Sequence, residues 1–162
     1  MLIIICGLPG SGKTTAAKMI SKHYSAVHLS SDIIRKQNLQ KPQYSDEEKE
    51  KVYTEMAEQV EKNLKNGKNV VADATFYKAK QRDRFLALAE KAGTKGFVVI
   101  CSLPESEIRK RIGKREKGPS DADFEVYLKL KKEFEPIAGR YLEINVWGKH
   151  NILEKISEFI GE

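Results

Sequence analysis

Five short apolar runs alternate along the chain with longer stretches in which apolar residues recur at helical spacing. The runs cover residues 2–6 ("LIIIC"), 26–29 ("AVHL"), 69–72 ("NVVA"), 97–101 ("FVVIC") and 141–146 ("YLEINV"). Most lack inside/outside alternation and are rich in Val and Ile, the pattern of parallel strands covered on both faces. The spacing predicts a helix over 12–23, straight after the first run. Val52, Met56, Val60 and Leu64 stand four apart and draw one apolar stripe on a helix over 46–66, which Gly67 ends. Residues 79–92 predict a further helix, stopped by Gly93. Another, over 104–115, starts at Pro104 with Glu105 and Glu107 complementing the dipole. A helix over about 121–135 runs up to Pro136, and "NILEKISEFI" (151–160) predicts the last. Repeated βα units imply an α/β, doubly wound parallel sheet. Nothing reads as a repeat, a low-complexity tract or an interdomain linker, so residues 1–162 are expected to form one domain. The charged "KREKGPSD" (114–121), broken by Gly and Pro, reads as a mobile loop.

Composition narrows the class a little. The chain has 162 residues, 40% of them hydrophobic and 32% charged, with a formal net charge of +6. That excess favours acidic partners such as nucleotides, nucleic acid or phosphorylated metabolites. Cys6 and Cys101 both end apolar runs and read as buried, reduced thiols rather than a disulfide or metal pair. No apolar run is long enough to cross a bilayer, and with the first strand at the very start of the sequence no signal peptide is expected. A cytoplasmic location is expected, with no membrane partner and no obligate protein partner.

The sharpest chemical signal is "GLPGSGKT" at residues 7–14, a match to G-x-x-x-x-G-K-[ST] placed between an apolar run and a helix. Glycines let the backbone turn tightly and aim its N–H groups at phosphate oxygens, and the helix N-terminus adds its positive dipole end. Gly7, Pro9, Gly10, Ser11, Gly12, Lys13, Thr14 and Thr15 are therefore expected to hold a nucleoside triphosphate, with Lys13 on the β- and γ-phosphates and the Thr14 hydroxyl on Mg²⁺. Asp73 ends the third run as the carboxylate of a Walker-B strand would, to hold Mg²⁺ directly or through water. Capping the next turn is the alternative use for it. No N-K-x-D occurs, so ATP is expected rather than GTP.

"LSSDIIRK" (29–36) takes its meaning from this loop. Asp32 and Arg35, three apart at the start of a helix, share a face at the end of the second strand. Open α/β sheets bind ligands at that edge, so Asp32 lies where an acceptor hydroxyl would attack the γ-phosphate. A carboxylate there accepts the hydroxyl proton, and Arg35 can grip an acceptor phosphate. In "RKRIGKREK" (109–117), Arg111 and Arg115 are four apart and fit a lid, over about 109–121, that closes on the phosphates. A solvated basic helix is the alternative there.

"GLPGSGKTT", "SSDIIRK", "VVADATFYKAKQRDRF", "RKRIGKREK" and "SDADFEVY", in that order over nearly the whole chain, resemble the small P-loop kinases of the polynucleotide 5′-hydroxyl kinase and zeta-toxin-like group, the AAA-domain kinases. The resemblance implies a three-layer α/β/α fold, a five-stranded parallel sheet in 2-3-1-4-5 order and a helical lid. It makes Asp32 the general base, Arg35 the contact to an acceptor phosphate and Arg115 the lid arginine on the ATP phosphates. It implies ATP and Mg²⁺ as cofactors and a nucleic-acid 5′-hydroxyl as acceptor. A small metabolite, a nucleoside or an aminoacyl-tRNA is the alternative, since "DATFYKAKQRDRF" is similar to seryl-tRNA kinases. A regulatory ATPase without acceptor is the rival class, and it has no need of Asp32 with Arg35. His23, His28 and His150 are too scattered for a metal site. Trp147 either stacks on adenine or packs, and Tyr44, Tyr77 and Lys78 are candidates for the acceptor side.

Overall fold

The computed structural model describes residues 1–38, 41, 43, 45–114, 124–147 and 151–161. Five strands form one parallel sheet: β1 (Leu2–Cys6), β2 (Val27–Ser30), β3 (Val70–Asp73), β4 (Gly96–Cys101) and β5 (Tyr141–Ile144). Their order is β2-β3-β1-β4-β5, with all four neighbouring pairs parallel. This is the 2-3-1-4-5 arrangement that the resemblance implies.

The central strand explains the layering. Every residue of β1 is buried, and alternate side chains enter opposite cores because strand side chains alternate faces. Leu2, Ile4 and Cys6 pack with Val52, Met56 and Val60 of α3 (Asp46–Lys65) and Phe85 and Ala89 of α4 (Ala79–Lys91). Ile3 and Ile5 pack with Ala16, Ala17 and Ile20 of α1 (Lys13–His23) and Ile156 and Phe159 of α7 (Ile152–Ile160). The stripe Val52, Met56, Val60, Leu64 is buried along its whole length, and Gly67 takes a left-handed φ of 71° two residues past the helix. Cys6 and Cys101 are both free thiols, and burial pushes each up to about 12. No helix among the described residues is long and apolar enough to cross a membrane.

Boundaries moved where pairing decides them. The second strand is Val27–Ser30 rather than 26–29, since Val27 pairs with Val70 and Ser30 with Asp73. The fifth stops at Ile144, the last residue with a β4 partner. Ser31–Asn38 forms α2 directly on the end of β2, with no intervening loop. Pro104 precedes α5 (Glu105–Lys114), its carbonyl accepting from the N–H groups of Glu107 and Ile108. The last helix before β5, α6, is Phe124–Glu133. Most of the expected lid loop, Arg115 included, lies outside the described residues, as do Tyr44 and His150.

Candidate active site

The C-terminal ends of β1, β2 and β3 bring together what the sequence holds apart. The loop after β1 turns on glycines with left-handed φ: Gly7 at 146° and Gly12, which caps α1, at 92°. A Cβ at Gly7 would stand 2.5 Å from the Cys101 carbonyl oxygen and 2.8 Å from the Ser11 hydroxyl, so only glycine fits. Gly10 is held against Ile108 and Ile112 of α5, and Gly12 against Val146 and Trp147. Lys13 donates from Nζ to the Leu8 carbonyl at 3.0 Å, folding its ammonium over the loop. Ser11 is buried, its hydroxyl without a hydrogen-bond partner among the described residues. Thr15 is exposed on the first turn of α1, and Pro9 lines the pocket described below.

Thr14 and Asp73 meet across the sheet. Thr14 Oγ1 donates to Asp73 Oδ2 at 3.1 Å, and His28 Nε2 lies 3.3 Å from the same oxygen. A hydroxyl and a carboxylate oxygen, side by side next to the phosphate loop, are hard donors of the kind Mg²⁺ takes, with phosphates and water completing its shell. The pair fits that ion. Sequence spacing sets His28 aside as too far from the other histidines for a metal site, and gives no hint of its place beside Asp73. The parallel register, which seats β2 against β3, brings its ring to Asp73.

Asp32 and Arg35 share a face of α2, as their spacing predicts. Arg35 Nη1 donates to Asp32 Oδ1 at 3.0 Å. The other side of the guanidinium is taken: Arg35 Nε lies 2.9 Å from Glu48 Oε1, with both side chains buried. Glu48 comes from α3, whose N-cap Ser45 accepts from the Glu48 N–H at 3.2 Å. In a capping box that glutamate would return to the cap; here its Oε2 accepts from the Gln43 N–H at 2.7 Å while Oε1 faces Arg35. Burial raises the Asp32 pKa above the ordinary value, with Asp73 pushing the same way, while Lys13, Arg35 and Lys36 pull it down.

Lys13, Asp32 and Arg35 line one pocket. Pro9 and Lys13 come from the phosphate loop, Ser31, Asp32 and Arg35 from α2, Lys49 and Tyr53 from α3, and Thr75 and Tyr77 from the segment after β3. The remaining wall is α6, through Val126, Lys129 and Leu130, a single helical face by their spacing. That wall has no local signature, because nothing in contiguous residues ties α6 to the end of β2.

The segment after β3 is pinned by a buried arginine that the sequence reading passed over within "QRDRF". Arg82 donates to the carbonyls of Phe76 at 2.7 Å, Glu135 at 3.0 Å and Pro136 at 2.8 Å. Glu135 in turn accepts from the Ala79 N–H at 2.6 Å, at the N-terminus of α4. Tyr53 accepts from the Phe76 N–H at 2.9 Å, and Phe76 has a left-handed φ of 48°. On the far side of the phosphate loop, the Arg111 guanidinium carbon lies 3.4 Å from the centroid of the half-exposed Trp147 ring.

Comparison with known proteins agrees with this fold. An adenylate kinase of Wigglesworthia glossinidia brevipalpis is 59% identical over 39 residues, which are 24% of this chain and only 19% of that protein's length. Among solved structures, Chaetomium thermophilum Kti12 in complex with ADP-AlF3 superposes with a TM-score of 0.75 at 18% identity, over 99% of this chain and 96% of that one. A gluconokinase from Sinorhizobium meliloti gives 0.69 at 18% identity, over 98% and 89%. The Mycobacterium tuberculosis APS kinase CysC, in complex with AMPPNP and APS, gives 0.66 at 20% identity, over 99% and 95%. At such identities the likeness establishes the fold, that of the small P-loop kinases. A model of the AAA domain family matches residues 2–137, from β1 to just past α6, and the chain belongs to that family.

Proposed function

We propose that this protein is an ATP-dependent phosphotransferase that moves the γ-phosphate of ATP to a hydroxyl of an acceptor held between α2, α3 and α6. The observation that carries this reading is the shared pocket: Asp32, held by Arg35, opens onto the same space as Lys13 of the phosphate loop. An ATPase acting on water alone has no use for a walled pocket at that point.

In this reading the ATP phosphates lie on the backbone N–H groups of residues 7–14, with Lys13 beside the β- and γ-phosphates. Thr14 and Asp73 would hold Mg²⁺, which when bound neutralises phosphate charge. Asp32 takes the acceptor's hydroxyl proton as that oxygen bonds to the γ-phosphorus and the bond to the bridging oxygen breaks, releasing ADP. Arg35, clasped by Glu48, keeps the Asp32 carboxylate aimed. Arg111 with Trp147 receives the adenine side, and Arg115 meets the transferred phosphoryl group. Residues 1–162 act as one kinase domain.

A nucleic-acid 5′-hydroxyl is the leading acceptor, supported by the family motifs and by the ring and apolar faces of Tyr53, Tyr77, Val126 and Leu130 around the pocket. A small metabolite is the second reading, favoured by the gluconokinase and APS kinase among the structural neighbours. Transfer from γ-labelled ATP to a 5′-hydroxyl oligonucleotide, nucleosides and sugars decides between them. ADP release that needs an acceptor, with label appearing in it, is the expected result. Hydrolysis indifferent to every acceptor would remove the phosphotransferase.

A further inference from the structure

The pocket carries more positive charge than transfer from ATP requires. Four of its lining residues are cationic (Lys13, Arg35, Lys49 and Lys129), while Asp32 is the one acid among the described lining residues. Lys13 belongs to the ATP phosphates. Arg35 is already met by two carboxylates, Asp32 at 3.0 Å and Glu48 at 2.9 Å, and is buried. A third anion on that guanidinium would enter a cluster that is already net negative. Lys49 and Lys129 are committed far less. Lys49 pairs with Asp46 at 3.5 Å, but that carboxylate is 97% exposed, so water screens the pair, and the Lys49 ammonium lies 5.7 Å from the centroid of the Tyr77 ring that itself lines the pocket. Lys129 is exposed and makes no ion pair with a described residue.

We propose that Lys49 and Lys129, rather than Arg35, bind an anionic group of the acceptor, which is therefore a hydroxyl compound that also carries a phosphate or carboxylate. The proposal rests on the kinase reading for the hydroxyl, and on the pocket alone for the anion. Lys49 stands one turn before Tyr53 on α3, and Lys129 stands between Val126 and Leu130 on α6, so the two lysines approach the pocket from different helices. Two ammonium groups give charge-assisted hydrogen bonds without the planar fork that would select phosphate over carboxylate. The site also reaches the lid side: Lys131 of α6 pairs with Glu105 of α5 at 2.7 Å, and Arg109 of α5 stacks on Phe124 of α6 at 4.1 Å. An anion held by Lys129 thus engages the helix pair that carries Arg111.

The test is direct binding, with the ATP site filled by a non-hydrolysable ATP analogue. Uridine is compared with uridine 3′-monophosphate, and a hexose with its aldonic acid, by calorimetry. In at least one pair the charged member should bind about tenfold or more tightly than the uncharged one. The double variant Lys49→Gln, Lys129→Gln should bring that ratio close to one, and Lys49→Arg should keep it. Which pair shows the effect tells a phosphate from a carboxylate acceptor. A ratio near one in both pairs for the unaltered protein, or a ratio that survives the double variant, overturns the proposal. Phosphoryl transfer is scored separately with hydrolysable ATP: a charge preference without transfer would leave the lysines in place and remove the kinase.

Discussion

Arg35 and Glu48, thirteen residues apart in sequence, form a buried ion pair, and the same guanidinium donates from Nη1 to Asp32 Oδ1 at 3.0 Å. The guanidinium is thereby fixed by α3 while it steers a carboxylate on α2. Glu48→Gln keeps the shape and removes the charge. It should lower kcat about tenfold with little change in KM for ATP, and cost roughly 1–3 kcal/mol in stability, read from steady-state kinetics and urea unfolding. A fall in stability with kcat intact would make Glu48 purely structural.

Asp32→Asn should reduce kcat by about 10²–10⁴-fold while ATP binding holds. Its effect on stability has the opposite sign. Because burial raises the folded-state pKa of Asp32, the fold favours the protonated form. The stability that the group contributes is present below its unfolded pKa and lost as pH rises through the raised folded one. At neutral pH the variant should therefore melt higher than the parent, and the difference should vanish in acid. The same shift sets activity: kcat/KM should climb with pH through a value above that of an ordinary aspartate. A neutral-pH melting temperature lowered by the substitution would contradict this account.

Lys13→Ala should abolish transfer while leaving the circular dichroism and the unfolding midpoint near those of the parent, since among the described residues its Nζ donates only to a loop carbonyl. Undiminished turnover would take the phosphates away from this loop.

Arg82→Ala should destabilise the protein by about 3–5 kcal/mol, because a buried charged donor leaves the carbonyls of Phe76, Glu135 and Pro136. Arg82→Lys should recover only part, having no planar fork to reach three acceptors. Urea unfolding measures both.

Trp147 is the single tryptophan of the chain, so its fluorescence reports one place. Its ring is stacked with Arg111 and sits against Gly12 of the phosphate loop. Adding ATP should change the emission, and Trp147→Ala should raise KM for ATP by about tenfold with kcat preserved. An emission spectrum blind to ATP would place adenine elsewhere.

What the sequence determined on its own was whatever is written in contiguous residues. The glycine spacing of residues 7–14 dictates a loop and a helix start by local sterics alone. The stripe Val52, Met56, Val60, Leu64 dictates a helix face, and the step from Asp32 to Arg35 a shared side of a turn. Even the strand order was legible through the family motifs. Tertiary structure decided what pairs with what. Thr14 meets Asp73 across 59 positions, and His28 joins them, because β2 pairs with β3 rather than with β1. Glu48 turns from its own helix cap to Arg35 because packing α3 over β2 and β3 sets a buried cation within reach. α6 closes the pocket although periodicity predicts only that it is a helix. Periodicity says which face of an element is apolar, but the polar partner across a cleft depends on how elements stack, and that is fixed only when the two cores on either side of β1 are filled.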